Sequence, residues 1–312
     1  MRLLFIFIDG VGLGKNEPNN PLAHTDTPGL ADILDGKRLT EDSAGHCGSR
    51  ASLMGLDATL GVPGLPQSAT GQASIFTGVN APALLGSHLN GFPEQRLRRL
   101  LSSKGIFRQL KSKGFKVAFA NAYRPPFFEY LRRGLPGNRY SCSTLITYYG
   151  RVPFFNLNDL KAGRALYMDI TNDILKRMGF DVPLITPEEG AARLAEISRS
   201  YDFCLFEYFL TDLAGHMTDR SEAGRVVNIL DRFIGTLSGE VDNEETLLII
   251  TSDHGNLEDL SDRDHTYNRV PAILVGDRAL RRFLHPGLQD LTDLLPAAVA
   301  ALGWGCPCDT NL

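Results

Sequence analysis

Short apolar runs, each bounded by turn residues, recur along the chain, and several of them are apolar at successive positions. They lie at residues 3–8, 115–120, 203–206, 247–250 and 272–275. A strand that is covered on both faces is apolar at successive positions, whereas a half-exposed strand alternates between apolar and polar residues. We therefore predict a buried strand at each of these five places.

Helical patterns lie between the apolar runs and begin with recognisable capping residues. Thr27 and Thr186 each place a hydroxyl at the cap position and are followed by proline, which suits the first helical position. Residues 219–237 carry apolar side chains at helical spacing. Strands that alternate with helices predict an α/β fold, with a mostly parallel sheet and helices on both faces.

Residues 124–185 do not follow this rhythm. They are rich in Pro, Tyr, Phe and Arg and show no alternation of strands and helices. We predict that this segment is a small cap inserted beside the sheet, and that residues 1–123 and 186–312 together form the α/β core.

Composition excludes several classes of protein. The chain has 312 residues, 43% of them hydrophobic and 22% charged, with a net charge of −4, which favours a globular protein without a nucleic-acid partner. No apolar run is long enough for a membrane helix, and the first run leads into Asp9 without a cleavage site. We therefore expect a cytoplasmic protein with no membrane partner; the oligomeric state is left open.

Two local features of the composition have alternative interpretations. Residues 94–164 contain fifteen Lys or Arg against three acids, which suggests solvated helix faces or a basic lid over an anionic substrate. The five cysteines are odd in number and scattered, which argues against a disulfide framework. Cys306 and Cys308 could hold a metal or a redox pair, but a frayed tail is the simpler interpretation.

Acidic and histidine residues follow three of the predicted strands. These residues are Asp9, Asp212 with His216, and Asp253 with His254. A single aspartate at a strand end is usually a turn former. Because ligands bind outside the carboxyl ends of parallel strands, three such groups would meet at one edge, where a cation is needed to neutralise them.

The spacing within these groups tests that idea. Asp212 and His216 would point the same way on one helical turn, although a cap and a surface histidine are the ordinary alternative. Asp253 and His254 can converge only if the chain leaves the strand, and we expect Gly255 to supply the backbone freedom. His265, just before the strand at 272–275, is a further candidate ligand.

A segment rich in small and hydroxylic residues, 65–74, follows a Pro-Gly turn and opens an apparent helix. A hydroxyl at a helix start is normally an N-cap. The same geometry aims the positive end of the helix dipole at a bound anion such as phosphate. A divalent ion against Ser68 would make its hydroxyl a nucleophile near neutral pH.

Taken together, these motifs resemble a known superfamily. The ordered set is Phe-Ile-Asp-Gly at 7–10, Ser-Ala-Thr-Gly at 68–71, Thr-Asp-Leu-Ala-Gly-His at 211–216, Thr-Ser-Asp-His-Gly-Asn at 251–256 and His-Thr at 265–266. It resembles the alkaline phosphatase superfamily, above all its cofactor-independent phosphoglycerate mutase and phosphopentomutase branch. The resemblance covers roughly residues 1–80 and 200–275.

The resemblance implies two divalent ions beside a nucleophilic serine. One ion would be held by Asp9, Ser68, Asp253 and His254, and the other by Asp212, His216 and His265. Ser68 would form a phosphoserine intermediate, with Thr70 as the alternative nucleophile, and Gln67 would contact a phosphate oxygen. Mixed carboxylate and imidazole ligands suit Zn²⁺ or Mn²⁺ better than Mg²⁺ or Ca²⁺.

The chain departs from the mutases between Ser68 and the strand at 203–206, where too few residues remain for their large transferase domain. We therefore expect hydrolysis of a phosphate ester of a small soluble substrate, with a phosphomutase of minimal cap as the alternative and a non-catalytic anion-binding protein as a distant one. The Cys/Ser-x-Pro-x-Arg motif of sulfatases does not occur around Ser68. Candidate substrate contacts are His88, Arg124, Arg132, Arg133 and Arg151.

Overall fold

A computed structural model describes residues 1–135, 137 and 139–304. The suggested role of Cys306 and Cys308 concerns residues outside this part of the chain. The strands are β1 Arg2–Ile8, β2 His46–Cys47, β3 Ala51–Leu56, β4 Val117–Phe119, β5 Ala122–Tyr123, β6 Phe155–Asn156, β7 Phe203–Tyr208, β8 Thr246–Thr251 and β9 Val270–Val275.

The central sheet of the described residues has seven strands in the order β2-β3-β9-β8-β1-β7-β4. Strands β8, β1, β7 and β4 are parallel neighbours, whereas β9, β3 and β2 pair antiparallel. All five predicted strands are present. The predicted α/β class is confirmed, and the sheet is mixed because its second half is built by antiparallel pairing.

Helices cover both faces of the sheet. They are α1 Pro21–His24, α2 Pro28–Ile33, α3 Ser68–Thr77, α4 Ala81–Leu85, α5 Gln95–Lys104, α6 Ile106–Ser112, α7 Pro125–Arg132, α8 Cys142–Tyr149, α9 Leu157–Lys161, α10 Asp173–Arg177, α11 Pro187–Ser198, α12 Leu210–Met217, α13 Arg220–Glu240, α14 Arg278–Leu284 and α15 Leu294–Gly303. Thr186 caps α11 with a capping box, as its sequence predicts. Among the helices described, none has the length and apolar character that a bilayer crossing requires.

The central strand β1 divides the core into two apolar layers. Leu3, Phe5 and Phe7 pack into the layer under α3, α5, α6, α8 and α15. Leu4, Ile6 and Ile8 pack into the opposite layer under α2, α11 and α13. Because alternate side chains of one strand point to opposite faces, a run that is apolar at every position is the pattern that two covered faces demand.

The segment 124–185 contains α7, α8, α9, α10 and β6. Helix α8 packs against α3, α5 and α6, and its Leu145 and Ile146 belong to the main core. The remainder surrounds a small separate apolar cluster that includes Leu160, Tyr167 and Val182. This segment therefore combines one core helix with a small layer beside the sheet, and its division from the core as a cap stays a prediction.

Candidate metal centre

Three parallel neighbours, β8, β1 and β7, bring their carboxyl ends to one edge of the sheet. Asp9 directly follows β1. Strand β8 ends at Thr251, and Asp253 and His254 come next along the chain after Ser252. Asp212 and His216 lie one helical turn apart on α12, which starts just after β7. The topology therefore brings together the acidic and imidazole groups that the sequence places after these strands.

The first group surrounds the Ser68 hydroxyl. Its Oγ lies 3.0 Å from Nε2 of His254. The same Nε2 lies 3.3 Å from Oδ1 of Asp9 and 3.5 Å from Oδ2 of Asp253. Asp253 and His254 are fully buried. Ser68, Asp9, Asp253 and His254 thus direct oxygen and nitrogen atoms at one small volume.

The second group consists of Asp212, His216 and His265. His216 Nε2 lies 3.3 Å from Oδ2 of Asp212 and 3.4 Å from Nε2 of His265, and His265 Nε2 lies 3.7 Å from Oδ1 of Asp212. Ligand atoms of Asp212 also lie within 4.8 Å of those of Asp9 and His254. Asp212 therefore stands between the two groups, and the imidazoles of His254 and His265 stack with centroids 3.7 Å apart.

Backbone carbonyls orient the imidazoles. His265 places Nδ1 2.9 Å from the carbonyl of Pro66, and His216 places Nδ1 2.6 Å from the carbonyl of Arg263. A neutral imidazole that donates from Nδ1 keeps the lone pair of Nε2 for a cation, which is the usual arrangement of metal-binding histidines. The two Nε2 atoms that face each other at 3.4 Å fit a shared cation.

The buried carboxylates also fit a cation. Asp9 Oδ1 and Asp253 Oδ2 are buried without a hydrogen-bond partner among the described residues. Burial raises the pKa of Asp9 and raises that of Asp253 well above its ordinary value. Although burial alone would lower it, the neighbouring Asp253 and Asp9 raise the pKa of His254 to about 10. The donor set of carboxylate oxygens and imidazole nitrogens suits Zn²⁺ or Mn²⁺.

Ser68 is the first residue of α3, and Gln67 is its N-cap residue. The side chain of Gln67 makes no cap hydrogen bond, and its Oε1 is buried without a partner in the described part of the chain. Thr70 is fully buried, and its hydroxyl donates to the Gln67 carbonyl and accepts from the Leu89 amide. These contacts occupy Thr70 and favour Ser68 as the nucleophile.

Two glycines permit close approaches at the sheet edge. Gly10 has φ +69°, and a Cβ there would lie 2.6 Å from Oδ1 of Asp212. The expectation that Gly255 supplies unusual backbone freedom is wrong, since its φ is not positive. A Cβ at Gly255 would instead lie 2.1 Å from Oε1 of Glu258 and 2.2 Å from the Thr266 hydroxyl. A side chain at position 255 would therefore collide with Glu258 and Thr266, and glycine leaves room for them.

The sequence analysis missed Glu258, which is nearly fully buried. Its carboxylate accepts hydrogen bonds from the amides of Gly12 and Asn256, both at 2.8 Å, from the Thr266 hydroxyl, and from the Asn268 side chain at 3.1 Å. Glu258 therefore joins the loops that follow β1 and β8 to the loop that carries His265. An acid two residues after the motif at 251–256 was the available signal, but surface acids are common at such places.

The remaining candidate residues lie in different places. His88 places Nε2 3.2 Å from the Val62 carbonyl, and burial lowers its pKa. Arg124 lines a cavity whose wall also contains Glu207, near the end of β7. Arg151 lies after α8, where its carbonyl accepts from Lys111. Of these three, only Arg124 lines that cavity.

Known proteins are similar in sequence to the part of the chain that carries most of the candidate metal ligands. A family model described as the metalloenzyme superfamily matches residues 180–298. A 2,3-bisphosphoglycerate-independent phosphoglycerate mutase of Methylobacillus flagellatus is 33% identical over 116 residues, 35% of this chain and 22% of that protein. The one of Pyrococcus abyssi is 23% identical over 298 residues, 86% of this chain and 70% of that protein. Against three bacterial mutases, the match spans less than a quarter of their length.

Solved structures show the same fold. The PH0037 protein from Pyrococcus horikoshii aligns with a TM-score of 0.59 at 17% identity, covering 97% of this chain and 96% of that one. The alkaline phosphatase from the Antarctic bacterium TAB5 aligns with a TM-score of 0.50 at 13% identity, covering 97% and 98%. At these identities the likeness concerns the fold alone.

Proposed function

We propose that this protein, which resembles the alkaline phosphatase-like metalloenzyme superfamily in sequence and in fold, is a metal-dependent phosphohydrolase. In this proposal it cleaves a phosphate ester through a phosphoserine intermediate on Ser68, at a site for two divalent ions. One ion is held by Asp9, Ser68, Asp253 and His254, and the other by Asp212, His216 and His265.

One observation carries the proposal: the Ser68 hydroxyl lies 3.0 Å from His254 Nε2, in a cluster where two buried carboxylate oxygens, Asp9 Oδ1 and Asp253 Oδ2, lack hydrogen-bond partners in the described residues. A serine that served only as a helix cap would not need this environment. The position of Ser68 at the start of the ten-residue helix α3 adds the positive end of the helix dipole, which favours a phosphate.

The reaction follows from these positions. When bound, the two divalent ions would lower the pKa of the Ser68 hydroxyl and offset the negative charge of the phosphate. Ser68 loses its proton to solvent and its Oγ bonds to phosphorus, while the bond from phosphorus to the ester oxygen breaks and the alcohol leaves with a proton from solvent. Water then attacks phosphorus, which breaks the Oγ–P bond, releases inorganic phosphate and restores Ser68.

Supporting residues hold the site in place during both steps. In this proposal the side-chain amide of Gln67, the residue before Ser68, donates to a phosphate oxygen. Pro66 and Arg263 fix the imidazoles of His265 and His216 through their carbonyls. The side chain of Gln72 donates to Oδ2 of Asp9 at 3.4 Å.

The nucleophile is tested by trapping the intermediate. We expect the protein with Mn²⁺ or Zn²⁺ to hydrolyse p-nitrophenyl phosphate, and acid quenching during turnover to leave phosphate on the peptide that contains Ser68, detectable by mass spectrometry. Ser68→Ala should abolish both signals, while the exposed control Ser103→Ala should retain them. Unchanged turnover in Ser68→Ala would exclude the covalent mechanism.

A phosphomutase is the second candidate, because the matched relatives are named as phosphoglycerate mutases. A mutase must hold the dephosphorylated product away from water until it is rephosphorylated. Transfer of phosphate between the oxygens of 3-phosphoglycerate without release of inorganic phosphate would support it. Stoichiometric release of inorganic phosphate would exclude it.

A further inference from the structure

A cavity of about 580 Å³ lies beside the metal centre. Its volume falls in the range of sites for small organic ligands. Much of its wall is aromatic, and we call it the aromatic pocket; its aromatic side chains include Phe92, Phe119, Tyr123, Phe127, Tyr130 and Tyr167.

The pocket lies next to the chain segments that carry candidate ligands of both ions. Glu207 and Phe209 line it and flank Tyr208, whose carbonyl accepts from the Asp9 amide at 2.9 Å. Phe209 is also the N-cap residue of α12, which carries Asp212. A ligand in the pocket is therefore next to the strand ends that hold the candidate metal ligands.

The start of α8, which also lines the pocket, lies close to the segment that carries the nucleophile. Ser141 and Thr144 line the pocket at the start of α8. The thiol of Cys142, between them, lies 3.5 Å from the carbonyl of Ala69, the residue that follows Ser68. The helix start that lines the pocket therefore packs against the segment that carries Ser68, and the pocket is the cavity near the nucleophile with room for an organic group.

The chemistry of the walls selects the type of group. Phe92 and Tyr130 are 47% and 49% exposed, so each leaves a large apolar ring face that gains free energy when a ligand covers it. The ring centroids of Tyr123 and Phe127 lie 4.0 Å apart in the same wall. The carboxyl group of Glu207 is buried in the wall, where it accepts from the Ser143 hydroxyl at 2.6 Å, and Arg124 and Arg139 also line the pocket. The pocket therefore selects its ligand by its aromatic surface and not by its charge.

We propose that the aromatic pocket binds the alcohol side of the substrate, and that the substrate is a phosphate ester of an alcohol that carries an aromatic ring. This inference rests on the proposed phosphohydrolase function. It names the substrate class, and it disfavours phosphoglycerate, whose organic part is small and has no aromatic ring to cover the exposed rings of the pocket.

Binding tests the pocket separately from the chemistry. In Ser68→Ala protein with Mn²⁺, calorimetry compares 2-(2-naphthyl)ethylphosphonate with propylphosphonate, two probes with the same phosphonate group. We expect the naphthyl probe to bind at least about tenfold more tightly, since its ring adds apolar contact area. Equal affinities would overturn the inference. Binding of 2-(2-naphthyl)ethanol, which lacks the phosphonate, should persist in protein treated with a chelator.

Variants at the pocket wall locate the binding. Phe92→Ala and Tyr130→Ala should each weaken binding of the naphthyl probe about threefold to tenfold. The matched control is Phe283→Ala, an aromatic residue on α14 that is 58% exposed and outside the pocket wall, and it should bind like the wild type. Unchanged affinity in both pocket variants would overturn the inference.

These measurements allow the substrate class and the proposed phosphohydrolase function to be rejected separately. If wild type and Ser68→Ala turn over 2-(2-naphthyl)ethyl phosphate at equal rates, the covalent mechanism is wrong, whereas selective naphthyl binding lost in Phe92→Ala would still place the aromatic group in the pocket. If Ser68→Ala abolishes turnover and the naphthyl and propyl esters have equal kcat/KM, the phosphohydrolase stands and the substrate class is wrong.

Discussion

The metal centre and the aromatic pocket adjoin the same edge of the sheet but are built in different ways. In the metal centre, backbone carbonyls orient His216 and His265, and Glu258 ties the surrounding loops together through backbone and side-chain donors. In the pocket, rings rest against other rings, and Phe92 and Tyr130 are half exposed. Under the proposed function, the reaction would depend on groups held in place by hydrogen bonds, whereas the choice of organic group would depend on a surface that can change without disturbing the centre.

The largest effect is expected where the two metal groups meet. Asp212→Asn should lower the turnover of p-nitrophenyl phosphate on the order of 10²–10³-fold, because it weakens charge stabilisation at the phosphate, and should reduce the bound metal by one equivalent. Turnover and elemental analysis check this. Asp181→Asn, an exposed aspartate on the surface, is the matched control. Full metal content in Asp212→Asn would contradict the assignment.

The next effect concerns Glu207, which lies in the pocket wall beside the centre. Burial raises its pKa to about 7, so the folded state keeps a proton that the unfolded state loses at lower pH. This group therefore lowers the free energy of unfolding as the pH rises from about 4.5 to about 7, by about 3 kcal/mol at most. Urea unfolding at pH 5 and pH 8 should show a smaller loss of stability in Glu207→Gln than in wild type.

The difference in stability loss between the wild type and Glu207→Gln reports on Glu207 alone, because the other buried acids titrate in both proteins. The exposed control Glu245→Gln should lose as much stability as the wild type over the same range. An equal loss in wild type and Glu207→Gln would show that this carboxyl group is not held protonated by the wall of the pocket.

A smaller effect is expected at Glu258, which supports the metal centre without facing it. Glu258→Gln should lower the affinity for Mn²⁺ or Zn²⁺ about 10-fold to 100-fold, because the loops that carry His254 and His265 lose a shared acceptor. Metal titration measures it, with the exposed Glu244→Gln as control. If excess metal does not restore turnover to Glu258→Gln, the residue has a role other than positioning the ligands.

The smallest effect is expected at the rim of the pocket. Arg124→Ala should raise the KM for an aryl phosphate about twofold to fivefold, since its cation is partly exposed beside the aromatic wall. Arg108→Ala, an exposed arginine on α6, should leave the KM unchanged. A large fall in kcat with an unchanged KM in Arg124→Ala would move this residue from substrate binding to the chemical step.

The sequence predicted the parts of the molecule that depend on local patterns. Runs that are apolar at every position identified β1, β7, β8 and β9, and with them the edge where Asp9, Asp212 and Asp253 meet. Strand β3 was missed because Ser52 and Gly55 interrupt its apolar pattern. In the structure it pairs with β2 and β9, and most of its residues are buried. Short β2 carries no pattern at all.

Features that depend on distant contacts could not be predicted. Gly255 is a glycine because Glu258 and Thr266 approach it, and only the folded loops show this. The aromatic pocket combines Phe92, Tyr130, Tyr167 and Glu207, which lie far apart in the sequence. In the sequence these rings are indistinguishable from ordinary core residues, so neither the pocket nor the core role of α8 was visible.

The central claim is that two divalent ions lie beside the Ser68 hydroxyl. Anomalous diffraction at the zinc and manganese edges, from crystals grown with each ion, tests it most directly. We predict two peaks, one among Asp9, Ser68, Asp253 and His254 and the other among Asp212, His216 and His265. No peak at either position, or a single peak remote from Ser68, would contradict it.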